Sequence, residues 1–327
     1  MDRYGDSSKP PILWPGGVEK PRFRYAGQLT GEDNFVKRGG KTVLKSVFHW
    51  IAGAITGKRK PILLQRPQMG DVDEALKRVY VSDVSRAALF VFDEVAGKLL
   101  IWEMAGPNVR FISPTGVAAG RDGEVFVSDS ELGYVVRLDK SGKPIGTIGK
   151  GMFIRPTGLA RDDGNGLLYV ADSHAHDIKV FNDKGELQNT ISKRGDHEGA
   201  LNFPTHLAFA NGKLYVSDTL NARVQVFSGN GSFEGTFGKR GLYIGNFTLP
   251  KGIAVDGEGN IYVIESYYDY LLVFDNKGQF LLPIGGTGSG TGDFYLPSGV
   301  WTDSRERIYV SDMFNRRVVV FQYLGEG

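Results

Sequence analysis

Val79-Tyr80-Val81-Ser82-Asp83 is the first of six copies of one phrase, an apolar stretch closed by a small or apolar residue and an acid. The others are Val125-Phe126-Val127-Ser128-Asp129, Leu168-Tyr169-Val170-Ala171-Asp172, Leu214-Tyr215-Val216-Ser217-Asp218, Ile261-Tyr262-Val263-Ile264-Glu265 and Ile308-Tyr309-Val310-Ser311-Asp312. Their acids lie 46, 43, 46, 47 and 47 residues apart. A period in the forties built from short strands is the signature of a propeller with one blade per repeat. A second anchor keeps step, a proline two residues before glycine or its substitute: Pro67-Gln68-Met69, Pro114-Thr115-Gly116, Pro156-Thr157-Gly158, Pro204-Thr205-His206, Pro250-Lys251-Gly252 and Pro297-Ser298-Gly299. Between the anchors, Asp122-Gly123, Lys184-Gly185, Asn211-Gly212, Asn230-Gly231, Asp256-Gly257 and Lys277-Gly278 supply hairpin turns. The pattern predicts an all-β, six-bladed propeller of four-stranded antiparallel meanders.

Third strands such as Val224-Gln225-Val226-Phe227 and Val318-Val319-Val320-Phe321 lead to a difficulty at the end of the chain. Only six residues follow Phe321, too few for a turn and a fourth strand, and an open edge would invite aggregation. Residues 23–30 contain Tyr25-Ala26-Gly27-Gln28-Leu29, which is like the fourth-strand phrases Ile145-Gly146-Thr147-Ile148 and Phe233-Glu234-Gly235-Thr236-Phe237. They are expected to close the last blade and thereby the ring. The organisation read from the sequence is an arm at 1–22, a closing strand at 23–30, a helical insertion at 31–62 and the propeller at 63–327.

These residues resemble the NHL-repeat six-bladed propellers over about 63–323, most fully at Asp218-Thr219-Leu220-Asn221-Ala222-Arg223-Val224-Gln225-Val226-Phe227 and Asp312-Met313-Phe314-Asn315-Arg316-Arg317-Val318. The resemblance implies the fold, and it implies a binding platform or, occasionally, an enzyme, because fold alone does not fix function. The leader, Leu13-Trp14-Pro15 to Tyr25, is similar to that of bacterial envelope proteins carrying this propeller, commonly secreted or lipid-anchored.

Composition suits one large domain: 41% of the 327 residues are hydrophobic and 45 are glycine. The net charge of +2 argues for neither nucleic acid nor an acidic partner. Without cysteine there are no disulfides, thiolate metal sites or cysteine nucleophiles. Residues 1–12 are polar, unlike a signal peptide. Two localisations stay open, cytoplasmic, or periplasmic or cell-surface with the signal removed and Met1 in its place, and the leader favours the second. Residues 41–57 place Val43, Leu44, Val47, Phe48, Ile51, Ala52 and Ile55 on one helical stripe, predicting an amphipathic helix. Gly57, Lys58-Arg59-Lys60 and Pro61 would end it. It is expected to pack on the propeller, with peripheral membrane contact as the alternative.

Function should lie where one repeat departs from the others. Phe111, Phe153, Phe247 and Phe294 each precede an anchor proline by three residues, so they are expected to pack. The six acids are expected to accept N–H bonds from turns. Two sectors of the loop face remain. One holds His174, His176, His197 and His206, the last in a slot that is glycine in four repeats, with its ring expected toward the axis. His174, His176 and His206 are the candidate ligands for zinc or copper. The site resembles the zinc centre of propeller-shaped peptide-amidating lyases, except that their channel histidine falls here on Thr205. The other sector is aromatic: Tyr243, Tyr267, Tyr268, Tyr270, Tyr295 and Phe314, with Arg194 and Arg240 near, suits a protein or polymer partner. Lys150, Arg155, Lys193, Arg194, Lys239 and Arg240 keep a single-stranded RNA reading open, against which Asp196, Glu198, Asp269 and Asp293 share the loops. No nucleophile elbow, phosphate loop or helical zinc motif is present. The leading expectation is a non-enzymatic binding scaffold with no cofactor; the alternatives are a metal-dependent lyase or hydrolase at the histidines and an RNA-binding propeller.

Overall fold

A computed structural model describes residues 11–17, 19–35 and 60–325. The predicted helix over 41–57 lies outside the described residues. Six sheets form a ring in which each innermost strand touches the innermost strand of the next blade and Pro297–Thr302 returns to Pro67–Asp73. Blade one is Pro67–Asp73, Arg78–Asp83, Ala88–Asp93 and Lys98–Trp102; the innermost strands of the next four are Pro114–Ala119, Pro156–Asp162, Pro204–Ala210 and Pro250–Val255. All neighbours within a blade are antiparallel.

The last blade is closed by the N-terminal strand, as expected. Phe23–Leu29 pairs with Arg317–Tyr323, with Phe23 opposite Tyr323 and Leu29 opposite Val318. Leu13–Trp14 adds a fifth strand outside it, which the sequence reading missed. Trp14 stands edge-on to Phe321 at 5.2 Å, and Phe23 lies 5.2 Å from Tyr323. A second unforeseen element is the small hairpin of Met104–Gly106 and Val109–Arg110, between blades one and two.

The hydrophobic clusters of the described residues lie mainly between blades. One joins Tyr262, Ile264 and Val273 of blade five to Val300, Val310 and Phe321 of blade six; another joins Tyr80 and Val91 of blade one to Val117 and Val127 of blade two. Each blade thus buries both faces against its neighbours, and a chain of this length folds as one ring without a single oversized core.

Both recurring anchors have a local physical reason. In every blade the register slips between the anchor proline and the strand beyond it: Pro114 faces Asp129 and Val117 faces Val127, leaving Thr115 and Gly116 opposite Ser128 alone. This is a β-bulge, two residues against one. Ser128 Oγ accepts from Gly116 N at 2.8 Å and donates to the Thr157 carbonyl of the next blade, so the serine pins the bulge and ties blades together. At Gly252 the glycine is required by space, since a Cβ there would stand 2.6 Å from Ser298 O and Val300 N, whereas blades one and four fit Met69 and His206 at the equivalent position. The acid ties the incoming loop: Asp83 accepts from the backbone N–H of Gln65 (2.6 Å), Arg66, Ser85 and Arg86 (3.0 Å each). Glu265 does the same for Thr248, Leu249 and Tyr267. These contacts put the loops between blades and the loops between second and third strands at one end of the ring.

Candidate functional site

The loop face carries most of the exposed large apolar side chains, among them Tyr243 (84% exposed), Leu242 (81%), Ile154 (65%) and Tyr267 (62%). Such a concentration on one end of a folded domain marks an interaction surface more often than chance. Blades four and five gather part of it around a pocket of about 230 Å³ lined by Leu242, Tyr243, Ile244, Tyr268 and Tyr270 over Glu265. Tyr270 is half-buried at the start of its strand and also packs on the core between those blades, whereas Tyr243 stands clear in the interblade loop. Tyr267 meets Tyr268 edge-on at 4.8 Å. In the next blade Tyr295 and Phe314 form a second pair at 5.4 Å, and the Arg66 guanidinium lies 5.8 Å from the Phe314 ring. Tyr243, Tyr268 and Tyr270 are therefore brought together, with Tyr267 on their flank and Tyr295 and Phe314 as a neighbouring pair. Leu242 and Ile244 carry no aromatic signal in the sequence, and only their exposure in the structure, at 81% and 56%, marks them as part of the surface.

The basic residues are dispersed. Arg240 donates to the Leu220 carbonyl at 2.8 Å, toward blade four, and Arg155 pairs with Glu131 at 2.9 Å. Arg194 is exposed beside His176 in the loop between blades three and four, in the histidine sector.

The histidines do not assemble into a ligand set: among the described residues, no three His, Cys, Asp or Glu side chains converge to hold a metal. His176 Nδ1 accepts from Phe203 N at 3.0 Å, and burial, with Arg194 and His174 nearby, lowers its pKa. His174 is exposed against the Phe203 ring at 5.4 Å. His206 corrects a second expectation. Its slot faces the innermost strand of the following blade, as the equivalent glycines show, so the ring is 6% exposed instead of free on the axis. Its Nδ1 lies 3.1 Å from Thr205 Oγ1. Burial first, and then the Lys251 charge, push its pKa down to about 3, so it is neutral near pH 7. Phe111, Phe247 and Phe294 are buried and Phe153 packs on a core, so the repeated phenylalanines are structural.

At the opposite end the innermost strands enclose a cavity of about 450 Å³ lined by Asp71, Val117, Leu159, Leu207, Ala254 and Trp301 with their neighbours. Asp71 accepts from Val72 N and Ala119 N at 2.8 Å each. Burial raises its pKa to about 6, and Asp163 and Asp73 push the same way. No sequence signal pointed to Asp71, whose position is not part of either anchor.

With ring and loop face established, the chain is a six-bladed β-propeller. It carries NHL repeats: the NHL repeat model matches residues 153–181, and a family model described as 6-bladed beta-propeller matches 255–326. Similar solved structures include virginiamycin B lyase from Staphylococcus aureus (14% identity, 80% of this chain and 96% of that one, TM-score 0.58). A gluconolactonase from Xanthomonas campestris is similar at 16% identity, with 80% and 88% coverage and a TM-score of 0.61. An auxiliary nutrient binding protein from Bacteroides thetaiotaomicron is similar at 14%, with 80% and 70% coverage and a TM-score of 0.63. Enzymes and a binding protein thus share the fold, and these likenesses speak to architecture alone.

Proposed function

We propose that this propeller is a non-enzymatic binding scaffold that engages a protein or polymer through the loop face of blades four to six, at the bacterial cell envelope. The observation that carries the reading is the exposed Leu242-Tyr243-Ile244 segment beside the Tyr268 and Tyr270 rings, with Tyr267 and the Tyr295–Phe314 pair next to it. Tyrosine gives large contact area with a polar tip and little side-chain entropy to lose, which is why it dominates binding hot spots. Among the described residues His174, His176 and His206 form no ligand cluster, so the aromatic loop face carries more support than a metal-dependent lyase or hydrolase. The cysteine-free sequence and the leader favour an envelope location over the cytoplasm.

The test is retention of envelope components by immobilised protein, followed by Tyr243→Ser and Tyr267→Ser. Both rings are largely exposed, so melting temperature should hold while retention falls by roughly tenfold or more per hot-spot residue. Retention indifferent to both changes, or abolished instead by Lys277→Glu in a turn between third and fourth strands, would place the partner elsewhere and defeat the proposal.

A further inference from the structure

At the loop end of the ring the second position of each innermost strand is the middle residue of its anchor, Gln68, Thr115, Thr157, Thr205, Lys251 or Ser298, and these six positions define the channel mouth. In blades two to four this residue is threonine, bonded to the hydroxyl that follows the blade's acid. Thr115 meets Ser130 at 2.8 Å, Thr157 meets Ser173 at 2.8 Å and Thr205 meets Thr219 at 2.7 Å. Ser130 and Thr219 donate onward to Pro156 O (2.7 Å) and Pro250 O (2.8 Å) of the next blade. That half of the mouth is an uncharged belt with its hydroxyls satisfied.

The belt breaks at blade five. Lys251 stands where threonine would, and Ser266 Oγ, the hydroxyl that threonine would have met, is buried with no partner among the described residues. Beyond it Met313 replaces the hydroxyl of blade six, taking only Gln68 Nε2 at 3.0 Å and the more distant Arg66 at 4.0 Å. Among the described residues no carboxylate oxygen lies within 4.0 Å of Lys251 Nζ or of the Arg66 guanidinium. The nearest carboxylate in blade five, Glu265, is already engaged by three backbone N–H groups. Lys251 stands at the loop end of the innermost strand of blade five and interacts electrostatically with Arg66 of blade one, with Glu265 of its own blade and with His206 of blade four. Burial, and then the like charge of Arg66, hold its pKa below the ordinary lysine value. Lys251 and Arg66 repel each other beside a neutral histidine and the face of Phe314, and Glu265, the carboxylate that acts on Lys251, makes no direct ion pair with it and is committed to backbone N–H groups.

We propose that the channel mouth between blades five, six and one binds the terminal oxyanion, carboxylate or phosphate, of a small ligand, with Lys251 and Arg66 as its charge partners and the Phe314–Tyr295 pair as a flat wall for the ligand body. The site goes beyond the loop-face partner reading and stands on its own charged residues, sharing with it only the Phe314–Tyr295 pair. Arginine's planar fork suits either oxyanion, and lysine adds a point charge that an anion would relieve. Aromatic faces beside it favour a ring-shaped body over a bare ion.

Calorimetry and thermal melting with D-glucuronate, glucose 6-phosphate and neutral glucose, at constant ionic strength, provide the test. Either anionic sugar should bind and raise the melting temperature, glucose should do neither, and the arm that binds distinguishes carboxylate from phosphate. Lys251→Thr and Arg66→Gln should each weaken binding at least tenfold, whereas Lys277→Gln, in a turn at the opposite end of the ring, should leave it unchanged. Lys251→Thr recreates the hydroxyl pair of blades two to four, so it should fold, and Arg66 is exposed, so Arg66→Gln decides independently. No heat from either anion up to about 20 mM, corresponding to affinity weaker than the millimolar range, would overturn the proposal. So would binding indifferent to both substitutions. Oxyanion binding that fails while Tyr243-dependent partner retention persists sinks this inference alone; the reverse outcome sinks only the partner surface.

Discussion

Deleting residues 1–30 should open the ring. The deletion removes Phe23–Leu29 from its place against Arg317–Tyr323, along with the outer Leu13–Trp14 strand. Phe23 and Leu29 are each 1% exposed, and burying one such side chain contributes about 1.5–3 kcal/mol, so the two together amount to about 3–6 kcal/mol. The strand's backbone bonds and the Trp14–Phe321 contact add to that. A domain is stable by about 5–15 kcal/mol in all, so the loss approaches the whole. It also bares the edge of Val318-Val319-Val320-Phe321, an apolar run open to pairing with another chain. By scanning calorimetry and light scattering, the truncated chain should melt about 10 °C or more below the intact one and form soluble aggregates. A synthetic peptide of residues 11–30 should restore both melting temperature and monomeric size, because the closing strand is held by pairing and packing on a preformed edge. A truncated chain that stays monomeric with unchanged melting temperature, or one the peptide does not rescue, would refute the closure argument.

His206 has a pKa near 3 in the folded protein against 6.5 as the ordinary value. Protons therefore favour the unfolded chain below pH 6.5, and stability should fall by about 1.4 kcal/mol per pH unit from there toward 3. Asp71, raised to about 6, acts oppositely: it destabilises as pH rises from 3.8 to 6, so the two partly cancel and the effect must be read by difference. Between pH 7 and 5, His206→Gln should lose about 2 kcal/mol less than the parent in denaturant titration; parallel losses would show that the ring is not buried neutral. Gly252→Ala should destabilise by about 1–3 kcal/mol, since its Cβ would meet backbone at 2.6 Å. Gly146→Ala, in an outer strand with nothing within 4 Å, should stay near neutral in the same melt. Equal effects would deny the close approach of neighbouring blades.

The fold was legible because a repeat states the same physics six times. Pro-x-Gly and Ser-Asp look like two motifs in the sequence, but in space they are two sides of one bulge, tied by the Ser128 hydroxyl and the Asp83-type carboxylate. The closing strand was legible for a related reason, since a fourth strand missing at one end must be supplied from the other. What could not be read was the direction of a single side chain. His206 looked like a group on the axis because the innermost strand lines the channel, yet the bulge turns that slot toward the neighbouring blade, where desolvation keeps the ring neutral. The Leu13–Trp14 strand was also hidden, because two residues carry no periodicity.

The same repeat also marks a functional position as one where a blade departs from its neighbours. Each satisfied copy of the Thr–Ser pair shows what a blade of this ring does when it has only structural work: Thr157 and Ser173 find each other at 2.8 Å with no charge. Blade five has the serine without the threonine, so its Ser266 hydroxyl is left unbonded in a buried place, a situation that costs about 1–3 kcal/mol. Lys251 in the vacated position adds desolvation of a cation near Arg66. Restoring threonine should then raise stability by about 1–2 kcal/mol while removing the charge from the mouth. A gain in denaturant midpoint coupled to loss of anion binding is the pattern expected of a position where stability is given up for a ligand. A Lys251→Thr protein less stable than the parent would mean that the lysine is itself a structural part of blade five.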